Sequence, residues 1–279
     1  MAKAELLYVG TDSGILQFAN PGGIGRWLRA GHSLPGSDIV TLWVDPADPT
    51  HLWCSDGTHF YRSNDGAQHW GDPLELGIDA VVSSRSAPQR LLALSDDHAI
   101  LSHDAGTQWR RVAPATRIAM AGDNLWISTA DNAHCSSDGG TTWQPDTPWL
   151  RRVASSDGAT MLHIAGPWDA LVWSLHGTSM APLPQPLRRT PDALVVLAGA
   201  PPKILCLAGD TLWSYDSAWI AVAAAPPLTL LATTPYHPDR VWGADRAGAL
   251  WYSSDRGTSW ECIKTGLGTI NTIVAARLI

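Results

Sequence analysis

Glutamate and phenylalanine are scarce in this sequence: three and two residues among 279. Glu5 reads as opening a strand, while Glu75 and Glu261 read as lying on outer strands. Glycoside hydrolysis ordinarily needs two carboxyl groups facing one pocket, and these three give no such pair. Cysteine is also sparse. Cys54, Cys135, Cys206 and Cys262 are widely spaced with no Cys-x-x-Cys, which argues against a zinc site. All four are expected to be buried free thiols in a reducing compartment. No long apolar run exists: the longest, Trp219 to Ala232, is broken by Pro226 and Pro227 and is too short to span a bilayer. No secretory apolar core follows Met1-Ala2-Lys3-Ala4-Glu5, so a cytoplasmic location is expected. There is no Gly-x-Ser-x-Gly elbow and no phosphate loop. Gly22-Gly23-Ile24-Gly25 lacks the lysine and the strand-to-helix setting of one, and reads as a hairpin loop. A net charge of −7 argues against general binding to nucleic acid or to anionic membrane.

Tryptophan, by contrast, is abundant, with fifteen residues. Four of them close a recurring octad. Ser136-Ser137-Asp138-Gly139-Gly140-Thr141-Thr142-Trp143 is the fullest copy. The others end at Trp260, Trp109 and Trp70, the last with Ala67 in place of the second glycine and Gln68 in place of the threonine. The first three share Ser-x-Asp-x-Gly-Thr-x-Trp. A short aspartate accepts hydrogen bonds from backbone N–H groups just downstream and closes a turn. Glycine supplies positive φ without steric cost. The tryptophan opens the returning strand with a large apolar face. Each octad is therefore expected to be the turn of a β-hairpin.

The octad resembles the Asp-box, or BNR repeat, of sialidases, sortilin-type receptors and a photosystem II assembly factor. In those families the box joins the third and fourth strands of β-propeller blades. The resemblance implies the fold, and it implies a structural box that lies away from the active face. Sialidases also carry an early Arg-Ile-Pro; here Arg117-Ile118 is followed by Ala119.

The tryptophans keep time. Trp27 to Trp70 is 43 residues, Trp70 to Trp109 is 39, Trp109 to Trp143 is 34, and Trp219 to Trp260 is 41. The 76 residues between Trp143 and Trp219 leave room for one eroded copy near Met180. That spacing predicts seven units of four strands. Asp12, Asp56, Asp96, Asp131, Asp169, Asp210 and Asp245 each fall at a second-to-third-strand turn and read as turn formers. Glu5 to Gly10 reads as a second strand, and Ile270 to Ile279 as a lone first strand. Pairing the two would close the ring and remove an open edge. The expected fold is all-β: one domain, 1–279, a seven-bladed propeller of four-stranded antiparallel blades.

Candidate functional residues are few. His59, His98 and His134 fall near such turns in three consecutive units, but equivalent loops of neighbouring blades lie about 10 Å or more apart. That exceeds shared ligation at about 2.1 Å, so neither metal nor cofactor is expected. Arg110-Arg111, Arg151-Arg152 and Arg188-Arg189 recur in three consecutive units, on fourth strands or at the crossing into the next blade. Arginine suits carboxylate or phosphate partners and interfaces. Trp149, at a blade crossing, and Trp168, in a turn, offer stacking anchors. These eight residues are the expected contacts to a protein partner in a non-catalytic scaffold. The alternatives are a carbohydrate-binding propeller or divergent glycosidase, and a small-molecule lyase or cyclase, each with a glycan or small molecule at the channel mouth.

Overall fold

The computed structural model describes residues 5–45, 48–84, 87–121, 123–129, 132–145, 150–155, 161–165, 172–176, 181–183, 191–197, 199, 202–234 and 236–277; between 150 and 183 it describes the backbone. Regular structure among these is β-strand, apart from one 3-10 turn at Pro21–Gly23. The strands are β1 (Glu5–Thr11), β2 (Gly14–Asn20) and β3 (Leu28–Ser33); then β4 (Thr41–Val44), β5 (Leu52–Ser55) and β6 (Phe60–Ser63). Next come β7 (Ala80–Ser84), β8 (Ala87–Ser95), β9 (His98–Ser102) and β10 (Arg110–Pro114), followed by β11 (Arg117–Ala121), β12 (Asn124–Ser128), β13 (Ala133–Ser136) and β14 (Gln144–Pro145). After them run β15 (Leu150–Ser155), β16 (Met161–Ala165), β17 (Val172–His176) and β18 (Ala181–Leu183), then β19 (Ala193–Leu197), β20 (Lys203–Ala208), β21 (Thr211–Tyr215) and β22 (Trp219–Ala221). The last are β23 (Leu228–Thr233), β24 (Val241–Asp245), β25 (Leu250–Ser253), β26 (Glu261–Lys264) and β27 (Ile270–Arg277).

Six sheets have four strands: β27-β1-β2-β3, β7 to β10, β11 to β14, β15 to β18, β19 to β22 and β23 to β26. The sheet β4-β5-β6 stops at three. The seven four-stranded blades predicted by the repeat are thus corrected to six. The missing strand is the one expected over Trp70 to Leu76. There Phe60 and Leu74 exchange two backbone bonds of 2.9 and 3.0 Å, and no ladder grows from that bridge. The next bond, from the Gly71 N–H to the Arg62 carbonyl at 2.9 Å, falls one residue out of register, so the pairing stays a single bridge. Leu76 instead bonds back to the Leu74 carbonyl at 2.8 Å and turns the chain.

Two compact units are present, Met1–Asp79 with Val222–Ile279, and Ala80–Ala221. In the first, β27 packs between β4 and β23; in the second, β11 packs between β7 and β15. First strands thus lie side by side and fourth strands lie outermost. β27 pairs with β1 from Glu5↔Arg277 to Thr11↔Ile270 with one irregularity at Gly10/Thr11, which joins the two ends of the chain in one sheet.

The alternation of β1 sends its side chains to two cores. Leu7 and Val9 join Leu16, Phe18, Trp242, Leu250 and Ile273. Tyr8 joins Ile15, Ile39, Leu42, Leu52 and Cys54 on the other face. A strand covered on both faces must be apolar nearly throughout, and Leu6 to Val9 is. In the second unit Leu92, Leu101, Met120, Leu125 and Ile127 close the space between two sheets.

Candidate functional site

The four octads fold alike. Ser63, Ser102, Ser136 and Ser253 are buried at the ends of β6, β9, β13 and β25. Each hydroxyl donates to the aspartate two residues on, Asp65, Asp104, Asp138 or Asp255, at 2.8–2.9 Å. Each also accepts the N–H four residues on, from Ala67, Gly106, Gly140 or Gly257, at 2.8–2.9 Å. One oxygen of each aspartate takes two further N–H groups, as in Thr141 and Thr142 onto Asp138 at 3.0 and 2.9 Å. The residue after each aspartate donates its N–H towards the junction of the first two strands of its own sheet. Those bonds run from Gly66 to Thr50, Ala105 to Gln89, Gly139 to Asp123 and Arg256 to Asp239.

These donors hold the carboxylates below their ordinary range. Asp65 falls to about 2, chiefly through the backbone and side chain of His69. Asp138 is lowered by the side chain and N–H of Thr142, and Asp104 by the N–H of Gln108. Asp255 is lowered by Ser259 against the opposing effect of desolvation. A depressed folded value stabilises above the unfolded value and is lost as pH falls through the folded one. Stability should therefore decline from about pH 4 downward. Urea midpoints measured from about pH 5 to 2 should show that slope, and Asp138→Asn should flatten it. An unchanged slope in the variant would remove Asp138 as a source.

Three of the second-to-third-strand aspartates, Asp12, Asp56 and Asp245, are likewise occupied. Asp12 accepts Thr269 N–H at 2.9 Å. Asp245 accepts Ala247 and Ala249 N–H and the Trp251 indole, each at 2.9 Å. Asp96 occupies a turn at φ 47°, and Asp210 lies at the β20–β21 turn. Asp131 and Asp169 lie outside the described residues.

Asp56 gathers more than a turn. One oxygen accepts the N–H groups of Thr58 and His59 at 2.9 and 2.7 Å. The other meets His59 Nδ1 at 3.2 Å and accepts the Tyr61 hydroxyl at 3.0 Å. Desolvation opposes ionisation of Asp56, yet the donors from His59, Thr58 and Tyr61 lower it overall. Burial, then the Asp56 carboxylate, raises the Tyr61 phenol. Burial likewise pushes the Cys54 thiol far up. At neutral pH the trio is thus an ionised carboxylate receiving a protonated phenol: a hydrogen-bonded lock, with the thiol inert beside it. The other two histidines are engaged separately. His98 Nδ1 lies 2.8 Å from the Asp96 carbonyl, and His134 pairs with Ile127 and Pro145 across β13. Among the described residues no three His, Cys, Asp or Glu side chains converge as metal ligands. Nor are all four thiols buried: Cys54 and Cys206 are, Cys135 is half-buried, and Cys262 is exposed on outer strand β26.

The arginines occupy unlike places. Arg110 and Arg111 are exposed on outermost β10, where Arg110 Nη2 donates to the Gly140 carbonyl at 2.9 Å. Arg90 assists it, meeting Asp123 at 2.6 Å and filling the space beside Gly139. Arg151 and Arg152 lie on β15, the first strand of its sheet. Arg188, Arg189, Trp149 and Trp168 lie outside the described residues.

One charged cluster escaped the reading of the sequence. Glu5, 4% exposed, accepts Asn20 Nδ2 at 2.8 Å, faces His237 Nε2 at 2.8 Å and is ion-paired with Arg240. Arg277 stands opposite in the ladder. Burial, then Arg277, lowers the His237 pKa. The signal was a lone glutamate at the head of the apolar run Leu6 to Val9. A glutamate there is almost never fully buried without a partner.

No protein-family model and no curated protein matches the sequence. Solved structures do. The chain is similar to YCF48 bound to D1 peptide, at 16% identity and TM-score 0.57 over 80% of each chain. It is similar to an ancestral GH74 enzyme, at 12% identity and TM-score 0.59, over 92% of this chain but 44% of that one. It is also similar to apo AztD from Citrobacter koseri, at 12% identity and TM-score 0.55, over 97% and 84%. At such identities the likeness shows the fold, a β-propeller, and fold alone carries no chemistry. No helix among the described residues is long and apolar enough to cross a membrane.

Proposed function

We propose that this chain is a non-catalytic propeller that holds a protein partner, and that its four octads are Asp-boxes of the BNR type. The observation that carries the reading is the state of its acids. The aspartates of all four octads, and Asp56 and Asp245, are occupied by donors from their own turns, and Asp12 by the N–H of Thr269, which suits a frame more than a reactive site. Exposed Arg111 on β10 is left to meet a partner carboxylate. The likeness to a propeller solved with a peptide bound supports a peptide or protein as that partner. Arg110, Arg111, Arg151, Arg152, Arg188 and Arg189 form the proposed contact set, with Trp149 and Trp168 as stacking anchors, in a single domain working in a reducing cytoplasm.

The test is capture of a partner by the immobilised chain, followed by titration with that partner purified. Changing all six arginines to serine should weaken binding at least about tenfold. Because Arg110 also holds Gly140, a second variant keeps Arg110 and alters the other five. Unchanged affinity in both would remove the arginines, and no saturable partner would remove the scaffold.

A further inference from the structure

Among the described residues four large apolar side chains are exposed: Ile24 at 78%, Leu28 at 45%, Leu74 at 45% and Ile220 at 60%. Three of these lie in the first unit, in two short segments of opposite charge. Ile24-Gly25-Arg26-Trp27-Leu28-Arg29 leads into outermost β3, with Arg26 and Arg29 exposed. Trp27 turns inward onto Trp242 and Tyr252, at 6.1 and 5.8 Å between ring centroids, and anchors the segment. Asp72-Pro73-Leu74-Glu75 lies outside β6 in place of the missing strand, and all four residues are exposed. It is fastened through the Leu74 backbone, which leaves its side chain outward. Among the described residues Arg26, Arg29, Asp72 and Glu75 make no ion pair and no side-chain hydrogen bond.

We propose that the first unit binds a second copy of this chain through these two segments, basic–apolar against acidic–apolar, about a twofold axis. The occupant follows from charge. A leucine between two unpaired carboxylates complements a leucine between two unpaired arginines with an isoleucine just before them, and the same unit carries both. Within one chain no ion pair joins them among the described residues. A twofold axis brings each segment to its opposite twice, since in an isologous contact residue i meets j and j meets i. It also supplies the area. Stable interfaces bury about 1,200–2,000 Å² in total, more than one such segment offers. Exposed ion pairs are weak and screened, so the dimer is expected at micromolar concentration and to dissociate with added salt.

Sedimentation equilibrium of the full chain tests this. The mass should rise from 29.9 kDa towards twice that value with concentration, and fall back in about 0.5 M salt. Arg26→Glu with Arg29→Glu, and separately Asp72→Arg with Glu75→Arg, should each weaken self-association at least about tenfold. An equimolar mixture of the two variants should restore the dimer, because each reversed segment then faces its complement. Circular dichroism confirms that both remain folded. A wild type that stays at 29.9 kDa throughout overturns the proposal. So does a dimer that persists in both variants, a mixture that stays monomeric, or a dimer abolished by Ile220→Lys and untouched by the charge reversals. None of these readouts involves the arginines assigned to a partner, so either reading can fail alone.

Discussion

Glu5→Gln is expected to lower the unfolding free energy by about 3–5 kcal/mol, the usual cost of removing one partner from a buried ion pair. The carboxylate is buried where β1, β2 and β27 converge, and the β23–β24 loop brings Arg240 and His237 onto it. The amide would keep the shape and the bond from Asn20. It would remove the charge that balances Arg240, with Arg277 close by. A guanidinium left without a counter-charge in a site of low polarity is costly. Because the cluster ties the head of the chain to its tail, the loss should appear first as faster hydrogen exchange in β1 and β27. The urea midpoint should drop by about 1–2 M. Adding Arg240→Met should recover part of the loss, because a buried pair replaced whole by apolar groups is often neutral. A single variant within about 0.5 M of wild type would show that the carboxylate is solvated after all.

Contrasting fates of sequence signals follow from how far each interaction reaches. The octads were legible because the serine and aspartate bonds that shape them close within four residues, from Ser136 to Gly140 or from Asp138 to Thr142. The pairing of Ile270–Arg277 with Glu5–Thr11 was legible because an incomplete unit at each end leaves one arrangement that fills both. The short sheet was not read because Trp70 and the alternation after it imitate a returning strand. A bond from Gly71 to Arg62 one residue out of register, and one from Leu76 back to Leu74, decided otherwise. The Glu5 cluster was invisible for a different reason: Arg240 and His237 lie more than 200 residues away along the chain. Arg110 shows the limit for surface charge. Sequence marked it as a partner contact, and folding adds a task within the chain, the Gly140 carbonyl.

Gly140→Ala is expected to cost about 2–5 kcal/mol, and the repeated turn explains the size. Gly140 is held at φ 90°, a conformation that costs a residue with a Cβ about 1–2 kcal/mol. A methyl there would also stand 2.4 Å from Leu101 Cδ2 and 3.1 Å from Leu125 Cδ1. Both leucines are buried among Leu92, Met120 and Ile127 and have little room to yield, which adds about 1–3 kcal/mol of overpacking. Gly139→Ala should cost less. Its Cβ at φ 70° meets the Arg90 guanidinium at 2.5 Å, and that mobile end can swing away at the expense of Asp123. The octad ending at Trp70 is the internal control. Ala67 occupies there the place of Gly140, at φ 66° and 1% exposure, so that sheet already accommodates a methyl. Ala67→Gly exchanges relief of backbone strain for a lost buried methyl and should stay within about 1 kcal/mol of wild type. Urea unfolding of the three variants should therefore rank Gly140→Ala as the most damaging, then Gly139→Ala, then Ala67→Gly. If Gly140→Ala proves as mild as Ala67→Gly, the serine and aspartate do not hold the turn in the left-handed geometry on which its packing against Leu101 depends.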